Sequence, residues 1–222
     1  MNKFVSEKDT WFSDANADAY DSFCAVHPMY SVLSWALLDR FPLPRTPNRV
    51  CDLGCGTGES TRVLQKKFPK TPRIVGIDQS SAMLGIAKLK SQSTRVTYLL
   101  SSNTGLGKFD LIVANASIWQ WDPNELALFI QNHWDGRGTL LYNLPSELVK
   151  DMRHLVESCE FNRMIGNVKC RFDMAQWTYT GSQAEAIDFL KIPIFRNNAD
   201  PKEFLNFSEF SAEWTLVRVQ RI

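Results

Sequence analysis

Val50-Cys51-Asp52-Leu53-Gly54-Cys55-Gly56-Thr57-Gly58 is the stretch that decides the fold. Apolar residues lead up to Leu53, and glycine then takes every second position to Gly58. A short apolar run closed by glycines reads as a buried strand entering a tight turn. Beyond the turn, Val63, Leu64 and Phe68 fall on one helical face, and Pro69 stops that helix. The alternation continues outward. Residues 73–78, 96–100, 109–114 and 138–144 read as further strands. Helices are expected from Ser80 and Ser81 through Leu89, from Asp122 and Pro123 through Ile130, and from a Ser146 cap to about residue 159. Strand and helix in strict alternation, with short connections, imply an α/β fold whose parallel sheet is covered on both faces.

The flanks are less regular. Residues 30–41 carry Leu33, Leu37 and Leu38 at helical spacing and run into prolines 42, 44 and 47. Past residue 160 the pattern weakens, with a helix expected over 182–191 and a terminal strand over 213–222. The organisation expected is one domain, with a helical lid segment at 1–45 and the main body at 46–222. A formal net charge of +1 provides no field to attract a polyanion, so no nucleic-acid partner is implied. The cysteines, at 24, 51, 55, 159 and 170, include no Cys-x-x-Cys pair. They read as reduced thiols of a cytoplasmic protein, with no metal site. The first nine residues lack the apolar stretch of a signal peptide. No run approaches the roughly 18 apolar residues that a membrane span needs.

In a doubly wound sheet, ligands bind beyond the carboxyl ends of the strands. A dinucleotide site favours Gly-x-Gly-x-x-Gly, where a pyrophosphate meets the helix end. Here the spacing is Gly-x-Gly-x-Gly and an acid, Asp52, precedes it. That acid would repel a pyrophosphate and suit an ammonium group, such as the methionine part of S-adenosylmethionine. Asp78 ends the next strand, where it can accept hydrogen bonds from both ribose hydroxyls of an adenosine.

Residues 50–58 resemble motif I of the class I S-adenosylmethionine-dependent methyltransferases. Val75-Gly76-Ile77-Asp78-Gln79-Ser80-Ser81-Ala82-Met83-Leu84 resembles their motif II, and Phe109-Asp110-Leu111-Ile112-Val113-Ala114-Asn115-Ala116 their motif IV. The resemblance spans about residues 45 to 145. It implies a Rossmann-like, doubly wound, seven-stranded sheet with an antiparallel last strand. It also implies that Asp52, Gly54, Gly56 and Gly58 line the methionine side, that Asp78 holds the ribose, and that Gln79 and Met83 flank ribose and adenine. The family often has an acid after strand three. This chain has Ser101-Ser102-Asn103, so Ser102 or Asn103 takes that place. Asn115 should face the methyl-transfer point.

Asn115-Ala116-Ser117-Ile118-Trp119-Gln120-Trp121-Asp122-Pro123 resembles the small-acid methyltransferases of the trans-aconitate and malonyl-carrier-protein types. Trp119 and Trp121 serve either as core packing or as walls of an acceptor pocket. In the N-terminal segment, Ala19-Tyr20-Asp21 is similar to a family segment that lies over the cofactor, which makes Tyr20 a candidate for catalysis and substrate contact. His27 is the candidate general base, with a turn role before Pro28 as the alternative. Asn143-Leu144-Pro145-Ser146 faintly resembles an amino-methylating motif but follows the wrong strand, and is set aside. The expected activity is methyl transfer from S-adenosylmethionine to an O or N of a small, partly apolar metabolite. The alternatives are a protein or carrier-bound acceptor docked over residues 160–210, or use of the fold without methyl transfer.

Overall fold

The computed structural model describes residues 11–101, 105–148, 170–195 and 207–221. β1 (Arg49–Leu53) lies at the centre of the sheet because it is apolar on both faces. Cys51 and Leu53 join one core cluster and Val50 the other, as the alternation of strand side chains requires. β2 (Arg73–Asp78) and β3 (Val96–Leu100) extend the sheet on one side, and β4 (Phe109–Ala114) and β5 (Trp134–Pro145) on the other, all parallel. β7 (Glu209–Arg221) then runs antiparallel between β5 and the edge strand β6 (Cys170–Ser182). The order is β3-β2-β1-β4-β5-β7-β6, the doubly wound seven-stranded arrangement with an antiparallel last strand that the sequence implies. The direction of winding reverses between β1 and β4, so their tips form the switch-point crevice.

Helices cover both faces. α3 (Glu59–Lys67) and α4 (Ser81–Lys90) are the crossovers after β1 and β2. α5 (Pro123–His133) packs Leu126, Ala127 and Ile130 on the Leu53 face. Asp122 caps α5 as expected, accepting from the amides of Asn124 and Glu125, with Pro123 in the first turn. Ser80 likewise caps α4, its Oγ accepting from the Met83 amide at 3.2 Å.

Several elements go beyond the sequence reading. α1 (Asp14–Val26) occupies a stretch with no evident apolar period, because only Asn16, Ala17 and Phe23 of it are buried. Its start is set locally by Ser13, whose side chain accepts from the Asn16 amide. α2 (Met29–Arg40) sinks Leu33, Leu37 and Leu38 into the same cluster as Val50, Leu111 and Val113. β6 escaped notice because an edge strand is only half-buried; its polar residues at 171, 173, 176, 178 and 180 dilute the apolar signal. β5 begins at Trp134 rather than 138, and β7 at Glu209 rather than 213. Ser146 starts a single 3-10 turn to Leu148, and its Oγ donates to Gln176 Oε1 at 2.8 Å. The remainder of the helix expected from Ser146 lies outside the described residues. No described helix is long and apolar enough to cross a membrane. No group of three metal-ligating side chains occurs among the described residues.

The burial of α2 has a measurable consequence. Leu33 is 0% exposed and Leu89 is 87% exposed. Leu33→Ala should lower the unfolding free energy by about 2–5 kcal/mol, and Leu89→Ala by less than about 0.5 kcal/mol. Urea titration followed by circular dichroism reads both values.

Candidate active site

The turn after β1 takes its shape from what crowds it. Gly54, Gly56 and Gly58 have φ of 73°, 52° and 88°, in the region that disfavours side chains. Gly54 also lacks space. A Cβ there would stand 2.4 Å from Ser117 Cβ, just past the tip of β4. Ser117 Oγ donates to the Leu53 carbonyl at 2.6 Å, so the tips of β1 and β4 are held together at the switch point. Gly58 is closed from below by Tyr98, whose Oη would lie 2.7 Å from an added Cβ. Gly56 faces the other way, and its nearest neighbour would be Tyr20 Cε1 at 3.7 Å.

Asp78 stands beside this turn, partly exposed at the end of β2. Its Oδ2 accepts from the Gly56 amide and its Oδ1 from the Ser80 amide, both at 2.8 Å. Burial raises its pKa and these backbone donors pull it back down. A carboxylate has about four acceptor positions, two on each oxygen. The Gln79 amide also acts on this carboxylate, so about one acceptor position remains for a ligand hydroxyl such as that of a ribose. Gln79 is half-exposed next to it and Met83 is buried in the following helix. Ser80 Oγ donates to the Trp11 carbonyl at 2.8 Å, which ties the N-terminal segment to the tip of β2.

Asp52 behaves differently from a group aimed at a ligand ammonium. It is fully buried, and its Oδ2 accepts from Ser60 Oγ at 2.6 Å and Thr61 Oγ1 at 2.5 Å. Those hydroxyls lie in the first turn of α3, where the helix dipole favours negative charge. Burial nevertheless pushes the Asp52 carboxyl up to about 6, against the pull of the two hydroxyls. Its Oδ1 has no partner among the described residues.

Aromatic residues of the N-terminal segment lie across the turn. Trp11 meets Tyr20 edge-on at 5.8 Å, and Tyr20 meets Tyr30 at 5.2 Å. Burial holds the Tyr20 phenol well above its ordinary pKa, so it keeps its proton. Trp121 reaches the turn as well, with Nε1 3.5 Å from a Cβ placed on Gly54. Trp119 instead packs toward β7, 6.0 Å from Trp214. Asn115 joins the lid through its Nδ2, which donates to the Tyr30 carbonyl at 3.2 Å. His27 ends α1 and turns elsewhere. Its ring stacks 4.9 Å from Phe23, and its Nε2 lies 2.8 Å from Asp188 Oδ2 on α6 (Gln183–Lys191). Contacts thus bring Gly54, Gly56, Gly58, Asp78, Tyr20 and Trp121 together, while those of His27 run to α6. Ser102 and Asn103 lie outside the described residues.

Two residues of the frame were given no such role from the sequence, where Asn143 stood only in a motif that was set aside. Asn143 donates from Nδ2 to Asn115 Oδ1 and accepts at Oδ1 from the Ala116 amide, both at 2.7 Å. Ala116 has φ of 52°, a conformation a non-glycine residue rarely holds without support. The available signal was one amide side chain inside the apolar run Leu140-Leu141-Tyr142-Asn143-Leu144. The second is Tyr98, which fills the space above Gly76 and reaches the underside of Gly58.

Asp52 sets a pH signature. A carboxyl raised to about 6 binds its proton more tightly when folded, so its stabilisation is complete below about 3.8 and is lost as pH rises through 6. Asp52→Asn should therefore gain stability on the parent between pH 4 and 7, by on the order of 3 kcal/mol at about 1.4 kcal/mol per tenfold change in proton affinity. Urea unfolding at both pH values measures it. Asn143→Ala should lower stability by about 1–3 kcal/mol, since it leaves the Ala116 amide and Asn115 without partners.

Residues 50–134 match the family model described as a methyltransferase domain. The trans-aconitate 2-methyltransferase of Streptomyces avermitilis is 40% identical over 120 residues, 49% of this chain and 44% of that protein. The Escherichia coli protein of the same name is 39% identical over 136 residues, 60% of this chain and 52% of that protein. The chain thus spans about half the length of the curated relatives it matches. Among solved structures, the YcgJ protein of Bacillus subtilis aligns with a TM-score of 0.57 at 15% identity, covering 85% of this chain and 98% of that one. The geranyl diphosphate C-methyltransferase of Streptomyces coelicolor aligns at 0.55 and 14% identity, covering 86% and 79%. Residues 50–134 are thus similar to a methyltransferase domain, and the sheet order is the fold shared with these solved structures.

Proposed function

We propose that this protein transfers a methyl group from S-adenosylmethionine to a carboxylate oxygen of a small, partly apolar acid. The observation that carries the reading is Asp78, aimed by the Gly56 and Ser80 amides at the end of β2 beside the glycine turn. Asp78 and the glycine turn would hold the cofactor, with Gln79 and Met83 beside its nucleoside and Tyr20 above the turn. The bound cofactor supplies an electrophilic methyl group on a sulfonium. The protein's task is to align an acceptor atom and exclude water, and positioning alone can remove much of the barrier.

The acceptor class follows from the titratable groups around the turn. The Tyr20 and Tyr30 phenols are both pushed up by burial, so neither takes up a proton near neutrality. His27 is engaged by Asp188. An acceptor that is already anionic, such as a carboxylate, needs no base. The relatives named trans-aconitate 2-methyltransferases support the same class, with Asn115 and Trp121 nearest the transfer point. His27 serves by seating α1 rather than by taking a proton.

Incubation with S-adenosylmethionine and trans-aconitate should release S-adenosylhomocysteine together with a monomethyl ester. No ester from any small di- or tricarboxylate would overturn the acceptor class. Asp78→Ala should weaken S-adenosylmethionine by about tenfold to a hundredfold in calorimetry, the loss of charge-assisted hydrogen bonds. His27→Gln should leave the pH profile of kcat unchanged. Disappearance of an ionisation near neutrality would instead make His27 the base.

A further inference from the structure

At the end of the sheet opposite the glycine turn, β5 and β6 begin and β7 finishes. Their ends frame a cavity of about 210 Å³ lined by Gly136, Arg137, Gly138, Arg171, Gln220 and Arg221. The register assembles it, pairing Arg171 with Gln220 and Gln220 with Thr139. Arg137, Arg171 and Arg221 are arginines of this lining, and no carboxylate belongs to it. This local positive charge sits in a chain whose formal net charge is +1.

Nearby carboxylates do not neutralise the cavity. Asp173 Oδ2 is shared between Arg171 at 3.1 Å and Arg218 at 2.7 Å. Asp135 Oδ1 accepts from the backbone amide of Arg137, not from its guanidinium. The Arg137 side chain has no partner among the described residues. Arg221 is held in place with its guanidinium 5.3 Å over the Trp134 ring. Its Nε is buried and has no hydrogen-bond partner among the described residues. A buried donor of this kind calls for an acceptor.

Neither glycine of the lining has room for a side chain. A Cβ on Gly136 would lie 2.8 Å from Arg221 Nη1, and one on Gly138 would lie 2.9 Å from the Asp110 carbonyl oxygen. Guanidinium forks over bare backbone match the tetrahedral oxygens of a phosphoryl group, which they can grip bidentately. We propose that this cavity binds a small multivalent oxyanion of the phosphate class, at a site separate from the glycine turn. The proposal is independent of the methyl-transfer reading.

Isothermal titration of the full chain with inorganic pyrophosphate at low ionic strength tests it, because such charges are least screened there. A Kd below about 1 mM is expected, tighter than for orthophosphate. Arg137→Gln combined with Arg171→Gln should weaken pyrophosphate at least about tenfold and leave the affinity for S-adenosylmethionine unchanged. Arg137→Gln alone removes an exposed side chain without a partner, so it should preserve the fold and still weaken pyrophosphate several-fold. Three results would overturn the proposal: no saturable binding, equal affinity in parent and variants, or a response that sodium chloride reproduces at matched ionic strength.

Discussion

The tips of β1 and β4 approach so closely that position 54 has no room for a side chain. Ser117 fills that space and donates to the last carbonyl of β1. Much of the site depends on this contact. It brings the two strands on either side of the winding reversal to a common edge. The turn then emerges in a left-handed conformation, with the Gly56 amide directed at Asp78. A carboxylate at the end of a neighbouring strand is thus oriented by backbone alone, and no flexible side chain has to find it. Tyr98 supports the same turn from below, and Asp52 fastens its far end to α3.

β1, β2, β4 and the later part of β5 were legible in the sequence because they are buried on both faces and mostly apolar. Glycine spacing marked the turn, and an acid one helix and one strand later marked Asp78. Where burial is one-sided the signal faded. β6 alternates half-buried and polar residues, and α1 buries only a narrow face, so neither stood out from its flanks. Asp52 was readable as an acid in a special place, but its role depended on hydroxyls eight and nine residues ahead that only helix geometry brings beneath it. Asn143 illustrates the limit most clearly. A single amide in an apolar strand gives no hint of its partner, because the strained Ala116 that it supports is far away in sequence.

The N-terminal helices link the site to the distal part of the fold. α2 is built into the core beneath β1 and β4. α1 rests partly on α4 through the Lys90–Asp21 ion pair, and partly on α6 and the turn after it. The second contact includes His27 with Asp188, Phe23 with Phe189, and Asn16 Oδ1 accepting from the Ile194 amide at 3.0 Å. Tyr20 sits midway along that helix. Its position over the turn is therefore set by residues well outside the glycine motif, on the segment leading from β6 toward β7.

β7 lies between β5 and β6, although it is the last of the described strands in chain order. Among the described residues β6 has no sheet neighbour other than β7, and β5 completes its outer ladder only when β7 arrives. During synthesis the parallel half of the sheet can assemble as it emerges, whereas the other half must wait for residues near 220. Until then the outer edge of β5 exposes unpaired amides and carbonyls. This order of assembly gives the nascent chain a window in which that edge is open to pairing with another chain, and a single late insertion closes it.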